Sequence, residues 1–554
     1  MSIRPALLIY TLLLLAACSN GNNGNKDTAI FPADPPPPEL GASVSLVSGP
    51  IVGQDSDRAG TWEWLGIPYA EPPVGALRWK APRPATAWTE PLESREFAIE
   101  CPQVNFFGEY VGQEDCLYLN VWRPQSQERD LPVMVWIHGG GNVWQSANWP
   151  LYHGARLAAQ ANIVVVTLDY RLGPLGWLYY PPLQDGNAND NSGNFGTLDI
   201  VAALQWVQDN VAAFGGDADN VTAAGESAGG ADVLSLLLAP QATGLLHKAI
   251  VQSAGGKVTS TEKAIAGAGA LLDNLMALEG VTPAPLTDPE LADYLRDKSA
   301  EEIIRNNPGT AAIFGDGHVL PRAGYDLFES GDFPNKVPLL IGTNKDEFKL
   351  YTNPAGFNQL PDASNELREV VGRYVSDLWR VSGADNIATH LRSLDDYPGI
   401  YVYRFNWGSP DAQGNSPLPS FFGPTGGAHH GAELPFMFGN WDTFLLAEFR
   451  DLLYNEGNAS SRQAMASVMV DYWGSFIRQG DPNGGNQPAW SPWSNGESQF
   501  KAIVLDVNYS DNLPAISEDY SVWTAVSVFE QVNANVAEPL LSQLMPYLEA
   551  WLGD

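Results

Sequence analysis

The chain has 554 residues, 44% of them hydrophobic, which is enough for a large core. With 30 Lys and Arg against 64 Asp and Glu, its formal net charge is -34. A surface that acidic repels nucleic acid and anionic lipid headgroups, so neither is an expected partner.

The N-terminus has one positive charge, Arg4, ahead of twelve mostly apolar residues at 6–17. That run is too short to cross a bilayer as a helix and reads as a signal peptide over residues 1–17. It ends Leu15-Ala16-Ala17-Cys18. This ending resembles the lipobox of bacterial lipoproteins, in which cleavage leaves the cysteine as a lipidated N-terminus. Ser19 follows rather than Asp, which by the same resemblance points to the outer membrane. The competing reading is an ordinary secretory signal with an incidental cysteine. Residues 18–40 are rich in Gly and Asn and contain Pro35-Pro36-Pro37-Pro38, so they read as a flexible tether. No other stretch reads as membrane-spanning, and membrane contact is expected through the lipid alone.

A single domain is expected from residue 41 to 554. Alternating apolar and polar residues at 43–69, with Gly and Pro breaks, predict short antiparallel strands. Cys101 and Cys116 follow as a close pair, which an exported chain can join in a disulfide. The loop between them carries Phe106, Phe107 and Tyr110. Pro132-Val133-Met134-Val135-Trp136-Ile137 is a continuous apolar run, as expected of a parallel strand buried on both faces. It ends in His138-Gly139-Gly140-Gly141, and residues 162–168 form a second such run. The loop 185–191, rich in Asp and Asn, lacks the Gly and Glu of an EF-hand and reads as solvated. Residues 198–214 have helical spacing and stop at Gly215-Gly216.

Next comes Gly225-Glu226-Ser227-Ala228-Gly229-Gly230, between the apolar run Val221-Thr222-Ala223-Ala224 and a helix-compatible segment. A G-x-S-x-G between strand and helix is the signature of a nucleophile elbow, with small flanking residues permitting the turn that lifts the serine. Residues 248–253 read as another strand. Helical segments run to about 306, broken by Thr282-Pro283-Ala284-Pro285. Strands return at 337–342, 400–405 and 502–505, with helices over 365–391 and 462–478. Strands alternating with helices predict an α/β sheet, and the helical region 255–337 is an insertion in it.

A serine hydroxyl needs a base, and the base needs a carboxylate to fix its tautomer. In this arrangement the chain order is Ser, acid, His. His247, His318, His390, His429 and His430 follow Ser227. Of these, His429 and His430 lie in a Gly-rich loop after a strand, which suits a catalytic histidine. Asp346 and Glu347 lie just beyond the strand ending at Gly342. Spacing does not choose within either pair.

Several segments together resemble the type-B carboxylesterases, the family of the cholinesterases and bacterial para-nitrobenzyl esterases. They are Glu114-Asp115-Cys116-Leu117-Tyr118-Leu119-Asn120-Val121, the His138 segment, Tyr170-Arg171-Leu172-Gly173-Pro174 and Gly193-Asn194-Phe195-Gly196. To these are added the elbow, Gly342-Thr343-Asn344-Lys345-Asp346-Glu347 and His430-Gly431-Ala432-Glu433. The resemblance implies an α/β-hydrolase fold and ester hydrolysis through an acyl-enzyme. It assigns Ser227 as nucleophile, Glu347 as acid, His430 as base, and Gly140, Gly141 and Ala228 as oxyanion donors. It also implies the Cys101–Cys116 disulfide, a small-molecule ester substrate, and no cofactor or metal. Asn142 stands where many members have an aromatic residue, and the choline-binding tryptophan of the cholinesterases has no secure counterpart. Pocket walls are expected from Phe106, Phe107 and Trp144. The alternatives are a non-catalytic binding protein of the same fold, and an amidase or lipase using the same three residues.

Overall fold

The computed structural model describes residues 39–553 except 185, 256, 281–286, 310–312, 354–356, 412, 419–426, 442–449, 452, 509–510 and 512. The expected signal peptide, Cys18, nearly all of the tether and the break at Thr282 lie outside the described residues. Within them a mixed sheet of eleven strands organises the chain. In chain order the strands are β1 (Gln54–Asp55), β2 (Thr61–Pro68), β3 (Tyr118–Pro124), β4 (Leu131–Ile137), β5 (Val164–Leu168) and β6 (Gly216–Glu226). Then come β7 (Lys248–Gln252), β8 (Leu339–Asn344), β9 (Ile400–Phe405), β10 (Ala502–Asn508) and β11 (Leu513–Asp519). Their spatial order is β11-β10-β9-β8-β7-β6-β4-β5-β3-β2-β1.

From β5 through β4, β6, β7, β8 and β9 to β10, every neighbouring pair is parallel. The outer strands are antiparallel. The apolar runs have this cause: every residue of β4 and β5 is buried. Side chains alternate across a strand, so Val133, Val135 and Ile137 enter one core layer while Met134 and Trp136 enter the other. The first layer is closed by helices α1 (Phe195–Asn210) and α2 (Ala228–Leu238). The second is closed in large part by the long helix Ala459–Gln479. This is the α/β-hydrolase arrangement.

Several boundaries differ from expectation. Helix α1 begins at Phe195, before the first apolar-periodic residue, and its last expected turn is a 3₁₀ segment at Val211–Phe214. Strand β6 begins at Gly216, which pairs with Leu131 of β4, and the polar residues before Val221 form a register shift where pairing is interrupted. Strand β8 starts at Leu339, after Pro338. The helix α3 (Asn365–Arg380) runs through a π turn, Val381–Asp385, into Asn386–Arg392. Strand β11 and two C-terminal helices, α4 (Ala525–Asn535) and α5 (Leu540–Gly553), were not expected. The C-terminal pair buries Val528, Val532, Leu544 and Leu548 against Val371, Val375 and Leu378 of α3. Cys101 and Cys116 form a disulfide. Among the described residues, no helix is long and apolar enough to cross a membrane.

Candidate active site

Parallel strands end at the same edge of the sheet, and the loops leaving those ends meet there. Gly139, Gly140 and Gly141 leave β4, Ser227 leaves β6, Glu347 follows β8, and His430 follows β9. The sheet topology thus collects residues spread over nearly 300 positions of the chain.

Ser227 sits between strand and helix with φ 56° and ψ -121°. A non-glycine residue with positive φ is costly, about 1–3 kcal/mol, and must be held by its surroundings. Its N–H donates to Gln252 O at 2.9 Å, and its carbonyl accepts from Ala231 N at 3.0 Å. The neighbouring glycines are sterically required. A Cβ on Gly225 would stand 2.3 Å from Gly229 O, and one on Gly229 would stand 2.1 Å from Ile137 O. The turn is therefore wedged against the end of β4.

The glycine loop lies directly beside it, since a Cβ on Gly139 would be 3.1 Å from the Ser227 Cβ. Gly140 and Gly141 have φ of 91° and 63°. Among the described residues, the N–H groups of Gly140, Gly141 and Ala228 have no protein acceptor. Ala228 opens α2, so its N–H also lies at the positive end of a helix. Free N–H groups from two segments beside a lifted serine suit an oxyanion.

His430 Nδ1 lies 2.6 Å from Glu347 Oε2, and the His430 N–H donates to Glu347 O at 3.3 Å. The other Glu347 oxygen accepts from the Asn344 N–H at 2.7 Å. His430 Nε2 has no hydrogen bond among the described residues. It faces Glu226 Oε1 at 3.2 Å, on the residue adjoining Ser227. The neighbours left open by spacing stand elsewhere. The His429 ring contacts the backbone, with Nδ1 2.9 Å from His430 O. Asp346 pairs with Lys349 Nζ at 3.0 Å and accepts from the Ser409 hydroxyl.

Two acidic groups here were not singled out from sequence, although both lie in motifs quoted above. Glu226 is buried beside His430. Glu433, also buried, accepts from Gln252 Nε2 at 3.0 Å and Asn344 Nδ2 at 2.5 Å. Burial pushes the Glu226 carboxyl up to about 8, against the pull of the His430 charge. Burial pulls the His430 imidazole down, but Glu226 and Glu347 outweigh it and push it up to about 9. Burial raises Glu433 as well, and Glu347 adds to the shift.

An aromatic series leads from the surface to the imidazole. Phe106 and Phe107 are 44% and 59% exposed and pack edge to face. Phe106 meets Phe357, and Phe357 meets both Trp144 and Tyr351. Tyr351 reaches His430 at 5.9 Å between ring centroids, and Trp379 lies against His430 at 4.7 Å. The Trp379 N–H donates to Ser253 O and Ala254 O, which holds that ring in place. Phe106, Phe107 and Trp144 thus fall in one series. Trp379 carries no local signal that would reveal its place at the site.

Comparison with known proteins gives the same picture. The profile of the carboxylesterase family matches residues 40–366 and 351–520. Para-nitrobenzyl esterase of Bacillus subtilis is 35% identical over 482 residues, 81% of this chain and 91% of that protein. Fumonisin B1 esterase of Sphingopyxis macrogoltabida is 34% identical over 467 residues, 80% of this chain and 83% of its own length. The crystal structure of a Geobacillus stearothermophilus carboxylesterase superposes with TM-score 0.69 at 31% identity, covering 87% of this chain and 100% of that one. With a catalytic-type elbow at the strand ends and a family match over nearly the whole described chain, the protein belongs to the carboxylesterase family and is a carboxylic ester hydrolase.

Proposed function

We propose that the enzyme cleaves carboxylic esters through an acyl-enzyme formed on Ser227. His430 Nε2 takes the Ser227 proton as the hydroxyl attacks the ester carbonyl. Glu347 holds the imidazole tautomer through Nδ1. The N–H groups of Gly140, Gly141 and Ala228 receive the negative charge of the tetrahedral intermediate. Its collapse expels the alcohol, which takes the proton from His430. Water then attacks the acyl-enzyme by the same route, releasing the acid and restoring Ser227. The observation that carries this reading is the 2.6 Å contact between His430 and Glu347, with the opposite ring nitrogen turned toward Glu226, the residue adjoining Ser227. The test is Ser227→Ala, which abolishes ester turnover and leaves the fold intact.

The aromatic series from Phe106 to Tyr351 favours esters with an apolar or aromatic portion. The proposal extends to location. Cys18 anchors the enzyme to the outer membrane of a bacterium through lipid, with residues 18–40 as the tether. The Cys101–Cys116 disulfide supports export, because such bonds persist outside the reducing cytoplasm.

A further inference from the structure

Three consecutive residues of the oxyanion loop have positive φ: Gly140, Gly141 and Asn142. Asparagine tolerates that conformation better than most residues, though not without support. Gly141 is exposed, and Asn142, next to it, is buried. The Asn142 carbonyl accepts from the Gly173 N–H at 2.6 Å. Its side chain points inward, to Tyr170 OH at 3.0 Å and to Asp232 at 3.3 Å.

Asp232 belongs to α2, one turn beyond Ala228, and is fully buried. It is an acidic residue in an otherwise apolar stretch, and the reaction as derived does not use it. Its Oδ2 has no partner among the described residues. Burial pushes its carboxyl well above the usual carboxylate range, and the neighbouring Asn142 and Tyr170 oppose this only in part.

The donors can be counted. The Tyr170 hydroxyl has one proton, yet it lies 2.7 Å from His138 O and 3.0 Å from the Asn142 Oδ1 position. It cannot donate to both. Amide oxygen and nitrogen are interchangeable by rotation, so the network decides their placement. With the Asn142 amide turned, its nitrogen donates to the Tyr170 oxygen, and Tyr170 donates to His138 O. The amide oxygen then faces Asp232, which must donate. Only a protonated carboxyl can do so.

We propose that Asp232 is a positioning residue: a neutral carboxyl that donates to the Asn142 amide and ties the glycine loop to the helix carrying Ala228. The oxyanion donors come from two separate segments, and their spacing must match one oxygen. The Asp232–Asn142 link crosses between those segments directly behind the donors. The inference rests on the esterase reading above.

The test is steady-state hydrolysis of para-nitrophenyl acetate by the full chain and by Asp232→Ala, Asp232→Asn and Asn142→Ala. Active sites are counted with a fluorophosphonate, so that any misfolded fraction is removed from kcat. Misplaced oxyanion donors act on the transition state, so Asp232→Ala lowers kcat by about 10- to 100-fold with KM nearly unchanged. Asp232→Asn retains a donor and no charge, and stays within about threefold of the parent. Asn142→Ala buries no new charge and gives a loss like that of Asp232→Ala. The double variant is no worse than the poorer single one, because both cut the same link. Per titrated site, an unchanged kcat in Asp232→Ala and Asn142→Ala overturns the proposal. So does an Asp232→Asn as damaged as Asp232→Ala, which would mean that a charge is required. A parent enzyme that titrates and turns over ester while these variants are unaffected leaves the esterase reading standing. A parent without turnover overturns both.

Discussion

Glu226 Oε1 stands 3.2 Å from His430 Nε2, while Glu347 Oε2 stands 2.6 Å from His430 Nδ1, so the imidazole lies between two carboxyl groups. The Glu347 contact orients the ring. The Glu226 contact is on the nitrogen that, in the proposed mechanism, exchanges a proton with Ser227. Both Glu226 and His430 have pKa values raised above their ordinary ranges, and the proton near neutrality belongs to the pair.

A pH dependence follows with a definite sign. The base is the neutral imidazole, whose fraction grows as pH rises through its pKa. Ester hydrolysis therefore climbs through neutrality toward about 9. Glu226→Gln removes one carboxylate that favours the charged ring. Its rising limb moves to lower pH, by about 1 unit. The pH profile of kcat/KM checks this, and an unmoved limb would show that Glu226 does not couple to the base.

The two neighbouring pairs separate cleanly by mutation. His430→Ala and Glu347→Gln each cost several powers of ten in kcat. His429→Ala stays within about tenfold of the parent, since among the described residues its ring bonds to backbone rather than to a carboxylate. Asp346→Asn acts on stability, because it weakens a buried pair with Lys349. It lowers the unfolding free energy by about 3 kcal/mol and leaves the rate of the folded enzyme largely unchanged. Kinetics and urea unfolding on the four variants distinguish these outcomes.

Removing the disulfide is also a stability change. The bond closes a loop with a sequence separation of 15, and the double variant Cys101→Ser, Cys116→Ser loses about 3 kcal/mol. Urea midpoints with and without reductant measure it. A parent insensitive to reductant while the variant is also unchanged would mean that the bridge does not stabilise the fold.

How much could be read in advance follows from burial. Strands β4, β5 and β9 are buried through most of their length and announced themselves as apolar runs. The elbow was legible because Gly225 and Gly229 have no alternative on steric grounds. Strand β11 was not legible, because it is an edge strand with no fully buried residue. The C-terminal helices α4 and α5 are anchored by a narrow set of apolar residues that meet α3, far back in the chain. Within the site, spacing could not choose His430 over His429 or Glu347 over Asp346. That choice depends on which way each side chain points from its loop. Asp232 and Trp379 meet neighbours remote in sequence, Asn142 and His430, and such pairings leave no periodic trace.

The anchor has its own test. Cells expressing the whole gene are grown with a clickable fatty acid and fractionated. The parent protein appears with the membranes and carries label, and Cys18→Ala carries none. Several acyl chains at about 0.8 kcal/mol per buried CH₂ hold firmly where a single chain would not. A soluble, unlabelled parent would make residues 1–17 an ordinary secretory signal. The catalytic reading would be unaffected, because no residue of the site depends on the anchor.

The central claim is that Ser227 is the nucleophile, and covalent trapping tests it most directly. The purified enzyme is treated with a fluorophosphonate, its residual ester turnover is followed, and the adduct is located by peptide mass spectrometry. The account predicts one adduct per chain, on Ser227, with turnover falling in proportion to labelling. It predicts neither adduct nor turnover in a folded Ser227→Ala variant. An adduct on a different residue, or turnover near the parent level in Ser227→Ala, would contradict it.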